Sequence, residues 1–404
     1  MTRGQTWLAV VVLGVGGLLA AILGLFLYVS ATATPLHPDP RAVSSVTKVT
    51  PAQDWSSAVE RARLVTRAAI SEQNLPGVSV AVGVGGGLAW AEGFGWANIE
   101  NRSPVSPDTA FRTGGVSIAL TSAAVGLLLE QNRLGLDDAI QKYVPSFPEK
   151  QWPVTLRQVM AHVAGVRQDE GDEEPLLTRC DLTTDGLQRF ANTPLRFEPG
   201  TQFRYSAYGW ILVSAAVEEA AREPFFSFMR ARIFEPLGMK DTRPDALTES
   251  TRGRATLYYP RFAADTRYGP EFARDGDYSC FAGAGAFLST PSDFVRYAIA
   301  ITSGTLLHSA TVKLLQTPQR LTSGQETSYG LGWDLETLSL AGQSTTMAGH
   351  DDEFTIGGSA SLATFPERGI VVAVMTNISF AKTSTLAASI AQAFAEQGTP
   401  SSPK

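Results

Sequence analysis

Tyr205 stands in a Tyr205-Ser206-Ala207 run, and His350 opens the stretch His350-Asp351-Asp352-Glu353. A phenol and an imidazole can each move a proton in a reaction. A tyrosine without a cation beside it keeps a pKa near 10, however, and is a poor base at neutral pH. The acidic residues after His350 are of the types that ligate metals. Neighbours along a strand point to opposite faces, so the run does not converge on one ion, and no metal is expected. Gly115-Val116-Ser117-Ile118-Ala119 imitates the G-x-S-x-[GA] pattern that presents a serine on a strand-to-helix turn. No strong strand leads into Gly115, so Ser117 reads more simply as a small polar residue early in a helix. His162 sits in a helix-end segment and is expected to make a structural hydrogen bond. Asp169-Glu170-Gly171-Asp172-Glu173-Glu174 reads as a solvated loop, and His37 and His308 carry no signal.

The elements that would position these groups alternate between two periods. Val59, Ala62, Val65 and Ala69 recur at helical spacing within 54–73. Pro76-Gly77 then introduces a short buried strand, 78–84, and the glycine turn 85–87 returns it as a hairpin through 88–94. Between 116 and 315 the pattern is mostly helical with long loops: one helix from Val116 through Leu128, others over 155–162, 208–222 and 225–234. Strand character resumes at 359–365 and 370–375 around the Pro366–Gly369 turn, and an amphipathic helix over 383–396 closes the chain. Strands at both ends with helices inserted between them predict one sheet built from distant segments, covered by terminal helices and carrying a helical subdomain.

The 404-residue chain has 44% hydrophobic residues and a net charge of −6, which fits a globular protein and argues against nucleic acid. Trp7 to Val29 holds no charge and no proline and would make a helix of about 35 Å, enough to cross a bilayer core. A cleavable signal ending near Ala31-Thr32-Ala33 is the competing reading, although signal cores usually run only about 7–15 residues. Arg3 favours an N-terminus left in the cytoplasm with the body outside. From 30 to 53 the Pro, Thr, Ser and Ala content reads as an extended tether. Cys180 and Cys280 are the only cysteines; they form either a disulfide or two separately buried thiols.

Landmarks over 74–395 carry a family resemblance. They include Leu75-Pro76-Gly77-Val78, Glu92-Gly93-Phe94-Gly95-Trp96-Ala97-Asn98, Tyr143-Val144-Pro145-Ser146-Phe147-Pro148 and Met160-Ala161-His162-Val163-Ala164-Gly165-Val166. Phe197-Glu198-Pro199-Gly200, Tyr205-Ser206, Phe234-Glu235-Pro236-Leu237-Gly238-Met239 and Gly283-Ala284-Gly285-Ala286-Phe287-Leu288-Ser289-Thr290 follow in order. Together they resemble the class C β-lactamase-related and penicillin-binding-protein-like serine hydrolases. The resemblance implies that fold and four catalytic parts: a serine, a lysine one helical turn later, a Y-x-N tyrosine, and a strand of K-T-G or H-x-G type. Aligned on Phe111-Arg112, the serine position is Gly115 and the lysine position Ile118. Ala207 replaces the Y-x-N amide, and Asp352 replaces the glycine of the last motif. At ~100° per residue Ile118 shares the face of Gly115, whereas Ser117 points away from it.

The chain is therefore expected to be α+β, with a β-lactamase/transpeptidase-like antiparallel sheet, flanking helices and a helical subdomain after one transmembrane helix. The expected layout is a cytoplasmic 1–6, an anchor 7–29, a linker 30–53, the domain 54–396 and a disordered tail 397–404. The function expected is that of a pseudoenzyme in the inner (plasma) membrane, with its soluble domain extracytoplasmic. It would hold a small-molecule or peptide ligand in a cleft lined by Gly115, Ile118, Tyr205, His350 and Asp351, with no cofactor. The alternative is an active amide or ester hydrolase in which Ser117 or Ser206 acts with Tyr205.

Overall fold

Valine-rich runs make the centre of the fold. In the computed structural model, which describes residues 3–49, 52–168, 178–246 and 253–397, the strands β2 (Gly77–Val84) and β13 (Ile370–Thr376) are buried almost throughout and pair antiparallel, Val82 opposite Val372. Around them the main sheet runs β1-β3-β2-β13-β12-β11-β10, with β1 Ser45–Val49, β3 Gly87–Asn98, β10 Asp334–Leu340, β11 Gln343–Asp352 and β12 Ser359–Phe365. The short β4 (Ser103–Pro104) pairs with β3. Every pairing in this sheet is antiparallel.

Alternation along the strands feeds two cores. Val78, Val80, Val82, Val372 and Val374 face the terminal helices α2 (Ser56–Glu72) and α9 (Thr383–Ala395), which contribute Val59, Ala62, Leu386 and Ile390. Ala81, Val371, Ala373 and Met375 face the larger core, with Phe294, Val295 and Ala298 of α7 (Pro291–Thr302). That core continues into the helical subdomain: α3 (Ser117–Glu130), α4 (Leu156–Met160), α5 (Ala207–Ala221), α6 (Phe225–Met229) and α8 (Ser309–Leu315). Two small sheets complete the fold: β5 (Phe111–Arg112) with β9 (Phe287–Ser289) and β6 (Arg243–Pro244), and the hairpin of β7 (Tyr258–Pro260) and β8 (Pro270–Phe272). The expected fold is present.

Three expectations change. The first helix, α1, spans Arg3–Thr32 and is thus longer than the 7–29 run. The described residues 33–49 are held against the domain rather than forming an extended tether. Asn74 accepts the Leu36 N–H at 2.7 Å and donates to the Thr34 carbonyl at 3.2 Å, His37 is buried beside Pro76, and Ser45–Val49 joins the sheet edge against β3. Satisfied backbone groups hold this stretch where composition alone suggested a linker. The resemblance placed the His350 motif on a strand, the end of β11, but periodicity did not mark β10 or the start of β11, because the partly exposed edge strand β10 carries little apolar alternation. The cysteines form a disulfide with Cα atoms 4.8 Å apart. The acidic 169–174 stretch and the tail from 398 lie outside the described residues; Gln397 itself donates to the Asp54 carbonyl.

Candidate active site

The sequence turns from β5 into α3 through a tight 3-10 turn, Gly114–Val116. Gly114 has φ +50°, and a side chain there would collide with Asp352 and Thr355, so glycine is required. At Gly115 an added Cβ would lie 2.8 Å from the Tyr205 hydroxyl, 3.2 Å from Asp352 Oδ2 and 3.4 Å from His350 Cε1. The fold therefore aims position 115 at the point where Tyr205, His350 and Asp352 meet. Gly115, Tyr205 and His350, which the sequence reading put in the cleft, lie together here with Asp352.

Asp352 fills that point. Its Oδ2 accepts the Gly115 N–H at 2.5 Å and the Thr355 hydroxyl at 2.9 Å; its Oδ1 accepts the N–H groups of Phe354 (2.7 Å) and Thr355 (2.9 Å). A carboxylate at a helix N-terminus is favoured by the unpaired N–H groups and the dipole there. In acyl transfer the same N–H position would stabilise a developing oxyanion. Two like charges about 4 Å apart repel by ~4 kcal/mol at an effective dielectric of 20, so Asp352 opposes that chemistry as well as blocking the donor.

Ile118 has no exposed surface and belongs to the apolar core, so it does not line an open cleft. An isoleucine at this helical position gains more from burial than from facing solvent. Ala207, partly exposed, opens α5, and its N–H is taken by Gln168 Oε1 at 2.6 Å. Asp351 stays open to solvent on its outer edge. Burial and the neighbouring Asp334 push its carboxyl up to about 6.

His350 is buried on β11, with Nε2 3.1 Å from the Tyr329 hydroxyl and Nδ1 3.1 Å from the Asp351 carbonyl; Asp334 Oδ2 lies 4.0 Å from Nδ1. His162 makes the expected structural bond: its Nδ1 accepts the Ser206 N–H at 3.1 Å, which leaves the proton on Nε2. Its ring lies 4.4 Å from that of Tyr205 and 4.7 Å from that of Tyr329. Burial pushes His162 well below the usual imidazole range, with His350 adding to it. Burial, then Asp352, Asp334 and Asp351, push the Tyr205 phenol well above its usual value. A proton-relay tyrosine needs the reverse, a neighbouring cation that stabilises phenolate.

Neither alternative serine is free to attack. Ser117 is fully buried and bonded to Thr113 Oγ1 at 2.6 Å, turned from position 115 as the helical angle predicts. Ser206 donates to the Arg167 carbonyl at 2.8 Å and caps α5 by accepting the Gly209 N–H.

Tyr329, Asp334, Thr355 and Arg112 belong to the site and escaped sequence reasoning. Tyr329 had a signal in the aromatic-glycine run Tyr329-Gly330-Leu331-Gly332-Trp333. Arg112 lies fully buried on β5. It pairs with Asp245, donates to the carbonyls of Ile356 (2.9 Å) and Gly276 (3.0 Å), and stacks 4.1 Å over Tyr278. It fixes the loop after Asp352. Among the described residues no group of His, Cys, Asp and Glu is arranged to hold a metal.

The Beta-lactamase family model matches residues 58–396. The mouse (Mus musculus) serine beta-lactamase-like protein LACTB, mitochondrial, is 26% identical over 456 residues, covering 85% of this chain and 81% of that protein. Among solved structures, D-amino acid amidase from Ochrobactrum anthropi SV3 superposes with a TM-score of 0.69 at 22% identity, covering 84% of this chain and 99% of that one. The octameric penicillin-binding protein homologue from Pyrococcus abyssi superposes with a TM-score of 0.67 at 21% identity, covering 81% and 75%. With the family model spanning residues 58–396, well over half of its length, this chain belongs to the beta-lactamase family of serine-hydrolase-like proteins.

Proposed function

We propose that the chain is a catalytically degenerate member of this family, anchored in a membrane, whose former catalytic cleft binds a small-molecule or peptide ligand, or a partner segment, without cleaving it. The observation that carries this reading is the Asp352 carboxylate on the Gly115 N–H, in the space a nucleophile and its oxyanion would need. Losing serine and lysine removes the reaction; filling the vacated donor with a carboxylate gives the site a different, stable arrangement. Tyr205 and Asp351, which keep accessible surface, would form the binding surface, with His350 buried behind them.

The helix α1, whose apolar stretch Val11–Thr32 is long enough to span a bilayer, supports retention as an anchor. The disulfide supports an oxidising, extracytoplasmic location for the domain, since such bridges are rare in reducing compartments. We assign the protein to the plasma (inner) membrane. The mouse relative is named as mitochondrial, and fractionation of the native host separates the two locations.

The test is intact-protein mass spectrometry of the full chain after exposure to a fluorophosphonate and, separately, to a penicillin. No mass shift is expected. A stoichiometric shift overturns the reading in favour of an active amide or ester hydrolase, the chemistry named for the amidase neighbour, and peptide mapping then identifies the nucleophile.

A further inference from the structure

The hairpin loop between β7 and β8 meets the apolar helix. The Phe262 and Tyr268 rings lie 6.3 and 6.2 Å from that of Phe26, which is inside the apolar run Trp7–Val29. Arg261 closes over the helix end, donating to the Thr32 carbonyl at 3.2 Å and the Thr32 hydroxyl at 2.9 Å. Val29 is buried against the domain. Beyond Thr32 the chain has no slack. Asn74 grips Thr34 and Leu36, and the Ser71 hydroxyl donates to the His37 carbonyl at 2.7 Å.

We propose that this loop, residues 261–268, is seated in the lipid interface of the membrane that holds α1, so that the domain docks on the bilayer at a fixed height. The inference rests on the reading of α1 as a retained anchor. At ~1.5 Å per residue, Phe26 lies about 4–5 Å inside the end of the apolar run, and its contacts bring Phe262 and Tyr268 to the same level. Holding that level in water would require pulling apolar helix out of hydrocarbon. The residue types match an interface instead. Aromatic rings sit at the boundary, and Arg261 and the Arg267–Asp265 pair lie among the headgroups. Phe272, at the far foot of the same hairpin, is 63% exposed and extends the apolar side of the element. The loop tip, Ala263-Ala264, has two successive left-handed alanines, an uncommon backbone that keeps only methyl groups at the turn.

The test uses the full chain in phosphatidylcholine/phosphatidylglycerol nanodiscs, with a nitroxide on a cysteine introduced by Ala264→Cys or, as a reference, by Ser323→Cys in an exposed turn. The native cysteines are bridged and stay unlabelled. At 264 the label should relax more with oxygen than with a water-soluble nickel complex; at 323 the order should invert. Phe262→Ser/Tyr268→Ser should shift the 264 label toward the nickel complex while the chain stays in the disc. A 264 label as nickel-accessible as the 323 label, on a chain still held by α1, overturns the docking proposal and leaves the anchor reading intact. A protein whose mass shows loss of the first ~30 residues, and which leaves the disc, overturns the anchor reading and the docking proposal with it.

Discussion

Arg112 reaches 2.9 Å to the carbonyl of Ile356, tying the strand before the vacant nucleophile position to the loop that carries Asp352. The same guanidinium pairs with the buried Asp245 and with Asp275. With glycine and isoleucine at the serine and lysine positions, these Arg112 contacts still fix the loop that carries Asp352.

Arg112→Met should therefore destabilise the domain by about 3–5 kcal/mol, because it leaves the buried Asp245 carboxylate with only the more distant Arg254, at 3.9 Å. Chemical denaturation monitored by tryptophan fluorescence measures this. A loss below about 1 kcal/mol would mean that solvent reaches Asp245 and that the pair is dispensable.

Restoring catalytic residues alone should not restore reactivity. Gly115→Ser/Ile118→Lys should react with a fluorophosphonate roughly 10²–10³-fold more slowly than the same protein carrying Asp352→Gly in addition, the range for loss of one oxyanion-hole donor. Time-resolved mass spectrometry gives both rates. Equal rates would show that the Asp352 carboxylate moves aside without penalty.

Asp351 makes an unusual acid signature. Its folded carboxyl is pushed up to about 6, above the 3.8 of an unperturbed aspartate. The folded state thus holds the proton more tightly, its contribution is most favourable below about pH 4, and stability is lost as pH rises through 6. Asp351→Asn should gain stability relative to the parent at pH 7.5 by about 1 kcal/mol or less, given the exposed edge of this residue, and the gain should vanish by pH 4. His162, pushed down by burial, acts in the opposite sense, with its stability present above 6.5 and lost as pH falls. Comparing variant with parent at each pH cancels that background. A gain independent of pH would remove the titration as its cause.

The disulfide closes a loop of sequence separation 100. Cys180→Ser/Cys280→Ser, or reductant on the parent, should lower stability by about 2–5 kcal/mol and lower the thermal midpoint. A midpoint unchanged by reductant would show that residual denatured-state structure offsets the chain-entropy effect.

The sequence revealed much of this arrangement through patterns that depend on spacing. The Val78–Val84 run, the helical face from Val116 to Leu128 and the terminal helices all appear where periodicity put them. Gly115, Tyr205 and His350 were picked out by motif order and lie close together in the structure. Other features depended on three-dimensional pairing that no local pattern encodes. Asp352 looked like one acid among three, and only the turn through Thr355 reveals that it accepts four donors. Ile118 shares a helical face with Gly115, yet packing seals it into the core. The 30–53 stretch has a linker's composition, but Asn74, Ser71 and the open edge of β3 supply partners that a composition count does not register.

The carboxylate on Gly115 also makes single substitutions toward a hydrolytic site costly. Gly115→Ser alone sets a side chain 2.8 Å from the Tyr205 hydroxyl with Asp352 still in the way. Ile118→Lys alone buries an ammonium in the apolar core, and Asp352→Gly alone removes four hydrogen bonds without creating a nucleophile. Each single step back toward hydrolysis lowers stability before any activity returns. On the proposed reading of the cleft as a binding site, the route is a ratchet: elaborating the cleft as a receptor takes fewer costly steps than building a hydrolase in it.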